Sequence, residues 1–73
     1  MFNIAAFKQV CRILAVYTSN AIKPMEVLDR LRLMKGKERE IIMLSWAFEE
    51  MPGYSDCLIS EFIGHLRGKV VVE

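Results

Sequence analysis

The segment from residue 41 to residue 48 is apolar at seven of its eight positions, and Ser45 is its one polar residue. A helix with apolar side chains on nearly every side is normally surrounded by other structure. In a chain of 73 residues, such a helix has to lie at the centre of the fold, and we expect another subunit to cover part of it. The pattern predicts a third helix from about Lys37 to Met51, which Pro52 and Gly53 end.

Three further segments have helical periodicity. The first runs from Phe2 to Ser19, and the second begins at Pro24, where the missing N–H of proline costs nothing. Gly36 follows the second helix and suits a left-handed cap. The fourth helix follows Ser55, a suitable N-cap, and ends at Gly68. The sequence therefore predicts an all-α fold, a single helical domain over residues 1–73 built as a small bundle of three to four short helices with a central apolar third helix.

The helical spacing also predicts how individual faces pack. The second helix is expected to bury one apolar stripe, made of Val27, Leu28, Leu31 and Met34. In the fourth helix, Ser60, Gly64 and Gly68 share a face on which another helix could approach closely. Because glycine is costly in the middle of a helix, we expect Gly64 to have a packing role in a partner-binding surface.

The segment Val70 to Val72 favours an extended backbone, because β-branched residues are enriched in strands. No second strand is predicted elsewhere in the chain. We therefore expect these valines to pack as an apolar tail or to add to the edge of a partner's sheet.

The residues that carry chemistry are few and widely spaced. His65 is the single histidine, and Cys11 and Cys57 lie far apart with no Cys-x-x-Cys motif. Zinc sites need about four ligands with short local spacings, which Glu61 and His65, one helical turn apart, do not supply. The four glycines form no phosphate-binding loop. We expect a protein that is not an enzyme and that has no metal or cofactor, and no motif is specific enough to indicate a family.

The start of the chain is apolar, but Lys8 and Arg12 interrupt it. A secretory signal carries its charges before the apolar run, and a membrane span needs about 20 apolar residues. We therefore expect a cytoplasmic protein that does not enter a membrane, in which both cysteines are reduced.

Charge is divided unevenly along the chain. Residues 1–39 carry a balance of +5, and residues 40–73 a balance of −4, within a net charge of +1. A basic cluster surrounds the turn between the second and third helices, at Arg30, Arg32, Lys35, Lys37 and Arg39.

The residues of this basic cluster could meet phosphates, and residues 28–45 have the outline of a helix-turn-helix. The second helix of that outline is apolar, however, and ends in Glu49 and Glu50, which suits DNA poorly. Nucleic-acid binding is therefore the alternative function.

The apolar content favours protein recognition. Hydrophobic residues make up 53% of the chain, more than a domain of this size can bury, so we expect a homo-oligomer or a bound partner protein. The methionines at positions 25, 34, 43 and 51 suit an adaptable contact surface or fill gaps in the core. Four aromatic residues are the expected anchors: Trp46, Phe48, Phe2 and Phe7.

The function predicted from these features is that of a small protein-binding module. It would act as a regulator, inhibitor or assembly factor by docking an apolar helical surface on a partner protein. The alternatives are a nucleic-acid-binding regulator that uses the basic turn from Arg30 to Arg39, and a self-associating structural subunit.

Overall fold

The computed structural model describes residues 2–17, 22–54 and 56–71. These residues form four helices and two very short strands, which confirms the all-α class. The elements in chain order are β1 (Phe2–Asn3), α1 (Ile4–Ala15), α2 (Pro24–Arg32), α3 (Glu38–Glu50), α4 (Ile59–Arg67) and β2 (Val70–Val71). None of the helices in the described ranges has the length and hydrophobicity needed to cross a membrane.

Helix α1 begins two residues later than the periodicity predicts, because Asn3 caps it. The Asn3 Oδ1 atom accepts a hydrogen bond of 2.7 Å from the backbone N–H of Ala6, which satisfies one of the unpaired donors of the first turn. The buried face of α1 consists of Ala6, Phe7, Val10 and Leu14. Through this face α1 packs against α3, α4 and both strands. The helix ends at Ala15, and Ser19, its predicted end, lies outside the described residues.

The expectation that the C-terminal valines have no strand partner is wrong. Strand β2 pairs in parallel with β1, so that Phe2 lies opposite Val70 and Asn3 opposite Val71. Phe2 is completely buried, and its ring meets the ring of Trp46 edge to face with 4.6 Å between the centroids. Burial of Phe2 holds β1 extended, and the two ends of the described chain meet as a result.

Helix α2 begins at Pro24, as predicted, and buries Val27, Leu28 and Leu31. Met34 was expected to continue this buried stripe, and that expectation is wrong. The helix ends at Arg32, two residues before Met34, so Met34 is not carried onto the stripe and is 45% exposed. Gly36 has a φ of +77°, which confirms the left-handed turn that returns the chain toward α3.

Helix α3 packs against both α1 and α2, and it fully buries Leu44 and Ala47. The described chain alone does not surround it. Ile42 is 66% exposed, and Trp46 and Phe48 are partly buried. Helix α3 therefore carries more apolar surface than the other described elements cover. Beyond α3 the chain turns at Gly53, which has a φ of +90°, in agreement with the helix end predicted at Pro52 and Gly53.

Helix α4 joins the core through Phe62, whose ring centroid lies 5.2 Å from that of Phe48. The predicted N-cap Ser55 lies outside the described residues. The N-cap is Leu58, and its backbone N–H donates to Glu61 Oε1 at 3.4 Å. Gly68 occupies the predicted C-cap with a right-handed backbone, at a φ of −68°.

The face of α4 that carries Ser60, Gly64 and Gly68 is exposed. Apart from the backbone of its own helix, nothing in the described chain would lie within 4 Å of a Cβ added at Gly64. Among the described residues, none packs against Gly64 in the role expected for it, and its role toward a partner stays a prediction.

The same substitution is expected to have opposite effects at two glycines. Gly64→Ala should raise the free energy of unfolding by about 0.5–1 kcal/mol, because alanine is the better helix former and the added methyl group meets open space. Gly36→Ala should lower it by about 1–2 kcal/mol, because a Cβ is strained at positive φ. Urea unfolding of both variants measures this, and a loss of stability in Gly64→Ala would mean that the face is covered.

Candidate functional site

A groove runs along the surface where the second half of α1 faces the end of α2 and the start of α3. It consists of two adjoining hollows that share Gln9, Ile13 and Glu40. We call it the α1–α3 groove, and its lining residues are Gln9, Arg12, Ile13, Val16, Tyr17, Leu31, Met34, Lys37, Arg39, Glu40 and Met43. Because α2 ends at Arg32, the turn that follows places Met34 at this groove rather than in the core.

Two exposed apolar side chains define the wider hollow. Val16, at the C-cap of α1, is 70% exposed, and Met34 is 45% exposed. Beside them the lining includes Ile13, Tyr17 and the buried Leu31. This is apolar surface that the described chain leaves in contact with water, in a concave site, and covering it would be favourable.

The polar lining of the groove is mostly cationic. Arg12 comes from the last turn of α1, Lys37 is the N-cap of α3, and Arg39 follows in the first turn of α3. Arg12 and Arg39 are exposed, and Lys37 is half-buried. Among the described residues that line the groove, Glu40 is the only acidic one. The groove thus combines an apolar floor with positively charged edges.

Glu40 carries an unsatisfied atom. Its Oε2 is buried and has no hydrogen-bond partner among the residues that the structure describes. A buried polar atom left without a partner costs about 1–3 kcal/mol. The groove therefore contains both exposed apolar surface and an unpaired acceptor, and both features lower the stability of the free protein.

The fold divides the basic cluster predicted from the sequence. Lys37 and Arg39 line the groove, whereas the other three residues are exposed outside its lining, at Arg30, Arg32 and Lys35. Arg32 makes an ion pair with Asp29 at 3.8 Å between two largely exposed side chains, and such pairs contribute about 0–1 kcal/mol.

Sequence reasoning missed Arg12, which the fold brings beside Lys37 from another helix. The available signal was the spacing of Arg12, Ile13 and Val16, which places a cation and two apolar side chains on neighbouring positions of one helix. That spacing does not reveal which element lies opposite.

The four predicted aromatic anchors lie in or against the core. Phe2 is completely buried, and Phe7 is 6% exposed and lines a separate surface hollow beside Lys8. Their role as anchors toward a partner stays a prediction. Trp46 and Phe48 are partly buried and contact Phe2 and Phe62, respectively. None of the four lines the groove. Arg67 places its guanidinium over the ring of Phe7, at 5.6 Å from the centroid.

The cysteines and the histidine do not assemble into a site. Burial raises the pKa of Cys11 above its usual value, although the charge of Arg67 opposes this shift. Burial likewise raises the pKa of Cys57, whose thiol donates a hydrogen bond of 2.8 Å to the carbonyl oxygen of Tyr54. Raised pKa values keep both thiols in the less reactive protonated form. His65 stacks against Tyr54 at 4.3 Å between ring centroids. Within the described ranges, no three histidine, cysteine or acidic side chains are grouped so that they could hold a metal.

No family model matches the chain, and no curated protein or solved structure shows significant similarity to it.

The unpaired carboxylate oxygen of Glu40 should lower the free energy of unfolding, and a pair of variants tests this. Glu38 and Glu40 both lie in the first turn of α3, so replacing either one removes a similar favourable interaction with the helix dipole. Methionine has nearly the same length and helix propensity as glutamate. Only Glu40→Met also removes a buried unpaired oxygen, so it should be more stable than Glu38→Met by about 1–2 kcal/mol. Chemical denaturation of the two variants measures the difference, and a less stable Glu40→Met would show that this carboxylate is satisfied in the folded protein.

Proposed function

We propose that this protein is a small non-catalytic module that binds another protein in the α1–α3 groove. The observation that carries the proposal is the exposure of Val16 and Met34 in one concave site whose floor is already apolar. The module would act sterically, as a regulator, inhibitor or assembly factor, by occupying a surface of its partner. The binding energy would come mainly from removing this apolar surface from water.

The composition of the groove favours a protein partner. Met34 and Met43 are flexible side chains that adapt to the shape of what they contact. The groove joins two hollows that open to the surface between helices, which suits a segment of another chain, such as a helix that inserts its apolar residues. Leu33, next to Met34 in the sequence, is 88% exposed and would extend the contact beyond the groove.

The second candidate function is nucleic-acid binding, and the exposed cations around the α2–α3 turn favour it. Two features of α3 oppose it. Glu38 and Glu40 occupy the first turn, where a recognition helix approaches DNA. The exposed face of α3 also carries Ile42, which has no favourable contact with a phosphate backbone. The apolar groove therefore argues for protein binding over nucleic-acid binding.

A charge placed in the groove should strongly weaken partner binding. Met34→Glu introduces a carboxylate where the partner's apolar surface is expected, and a buried unpaired charge of this kind should weaken binding by more than about tenfold. Met25→Glu is the matched control, because Met25 is 39% exposed and lies outside the groove lining. The tagged protein is used to isolate its partner from native lysate, and the affinity of the purified partner for each variant is then measured by calorimetry.

The two variants distinguish the candidate functions. Equal affinity of Met34→Glu and Met25→Glu for the partner would contradict docking in the groove. Co-purification that nuclease removes, with an affinity for duplex DNA that falls steeply with salt concentration, would instead support the nucleic-acid candidate. Circular dichroism and thermal melts confirm that both variants are folded.

A further inference from the structure

The charges at the edges of the groove indicate what kind of protein segment fits it. Arg12 comes from α1, while Lys37 and Arg39 come from the start of α3, so the cations approach the apolar floor from two elements. A segment that only filled the hollow with apolar side chains would leave these cations without counter-charges at the rim. Arginine is also the side chain best suited to bind a carboxylate through two parallel hydrogen bonds.

We propose that the occupant of the α1–α3 groove is an acidic amphipathic segment of a partner protein. Its apolar side chains lie between Val16 and Met34, and its Asp or Glu carboxylates pair with Arg12, Lys37 and Arg39. This inference rests on the proposed function and adds the chemistry of the partner.

Charge complementarity also excludes two other occupants. A second copy of this chain, docked symmetrically through the same groove, would bring two sets of the three cations together, and opposed like charges are costly. A continuous polyanion would place phosphates against Glu40, the acidic residue in the lining, and would leave the apolar floor unfilled. Separate carboxylates on an apolar segment match both the cations and the floor.

Random linear peptides displayed on phage provide a probe that needs no knowledge of the natural partner. Selection is carried out on the immobilised wild-type protein, and the enriched peptides are synthesised with a fluorescent label. The proposal predicts that they combine apolar residues with Asp or Glu. Their dissociation constants are then measured by fluorescence anisotropy against wild-type protein and its variants.

Arg12→Glu and Arg30→Glu form a matched pair of variants. Both arginines are exposed and occupy the last turn of a helix, and only Arg12 lines the groove. The two changes therefore alter the net charge and the helix dipole interaction equally. Arg12→Glu should weaken peptide binding about three- to tenfold, the usual effect of a charge at the rim of an interface, whereas Arg30→Glu should change it by less than about twofold.

The outcomes separate this inference from the proposed function. Enriched peptides that are neutral or basic, or equal effects of Arg12→Glu and Arg30→Glu, would overturn the acidic partner. The groove itself would still be supported if Met34→Glu abolished binding of those peptides and Met25→Glu did not. Peptide binding that none of these substitutions affects would overturn both proposals.

Discussion

The packing of one face of α1 against α3 and α4 is the interaction on which the rest of the structure depends. Val10 and Leu14 on this face are fully buried, and the same helix also contacts the two strands that join the ends of the described chain. Burial of large apolar side chains is the main favourable contribution to folding in a domain this small. Because α1 uses one face for the core, the adjacent face, with Arg12 and Val16, is left to form a wall of the groove.

Local sequence signals predicted the helices, and long-range packing decided most of what they missed. Pro24 begins α2 and Gly36 turns the chain, as expected from the backbone preferences of these residues. Strand β1 has only two residues, too few for an alternating pattern, and it forms because Phe2 is buried against Trp46 and pairs with Val70. Met34 fits the apolar stripe of α2 by spacing alone, but the helix ends before reaching it.

The candidate site was the least predictable part of the molecule, because it is built from segments distant in sequence. The basic cluster gave Lys37 and Arg39, but Arg12 joins them only through the packing of α1 beside α3. The same region holds the exposed Val16 and Met34 and the unpaired oxygen of Glu40. Features that reduce stability without an evident structural benefit tend to concentrate at functional sites. Their coincidence in one groove distinguishes this surface from the other surfaces that the described residues form.

Met34 lies in an open groove in the free protein, and the methyl groups of the methionines report on this directly. In a protein labelled with ¹³C at the methionine methyl groups, a soluble paramagnetic reagent broadens the signals that water can reach. We expect the Met34 signal to broaden about as much as that of the exposed Met25, while the signal of Met51, which is buried, remains sharp. A Met34 signal as protected as that of Met51 would show instead that the groove is closed or already covered, and docking in the groove would be ruled out.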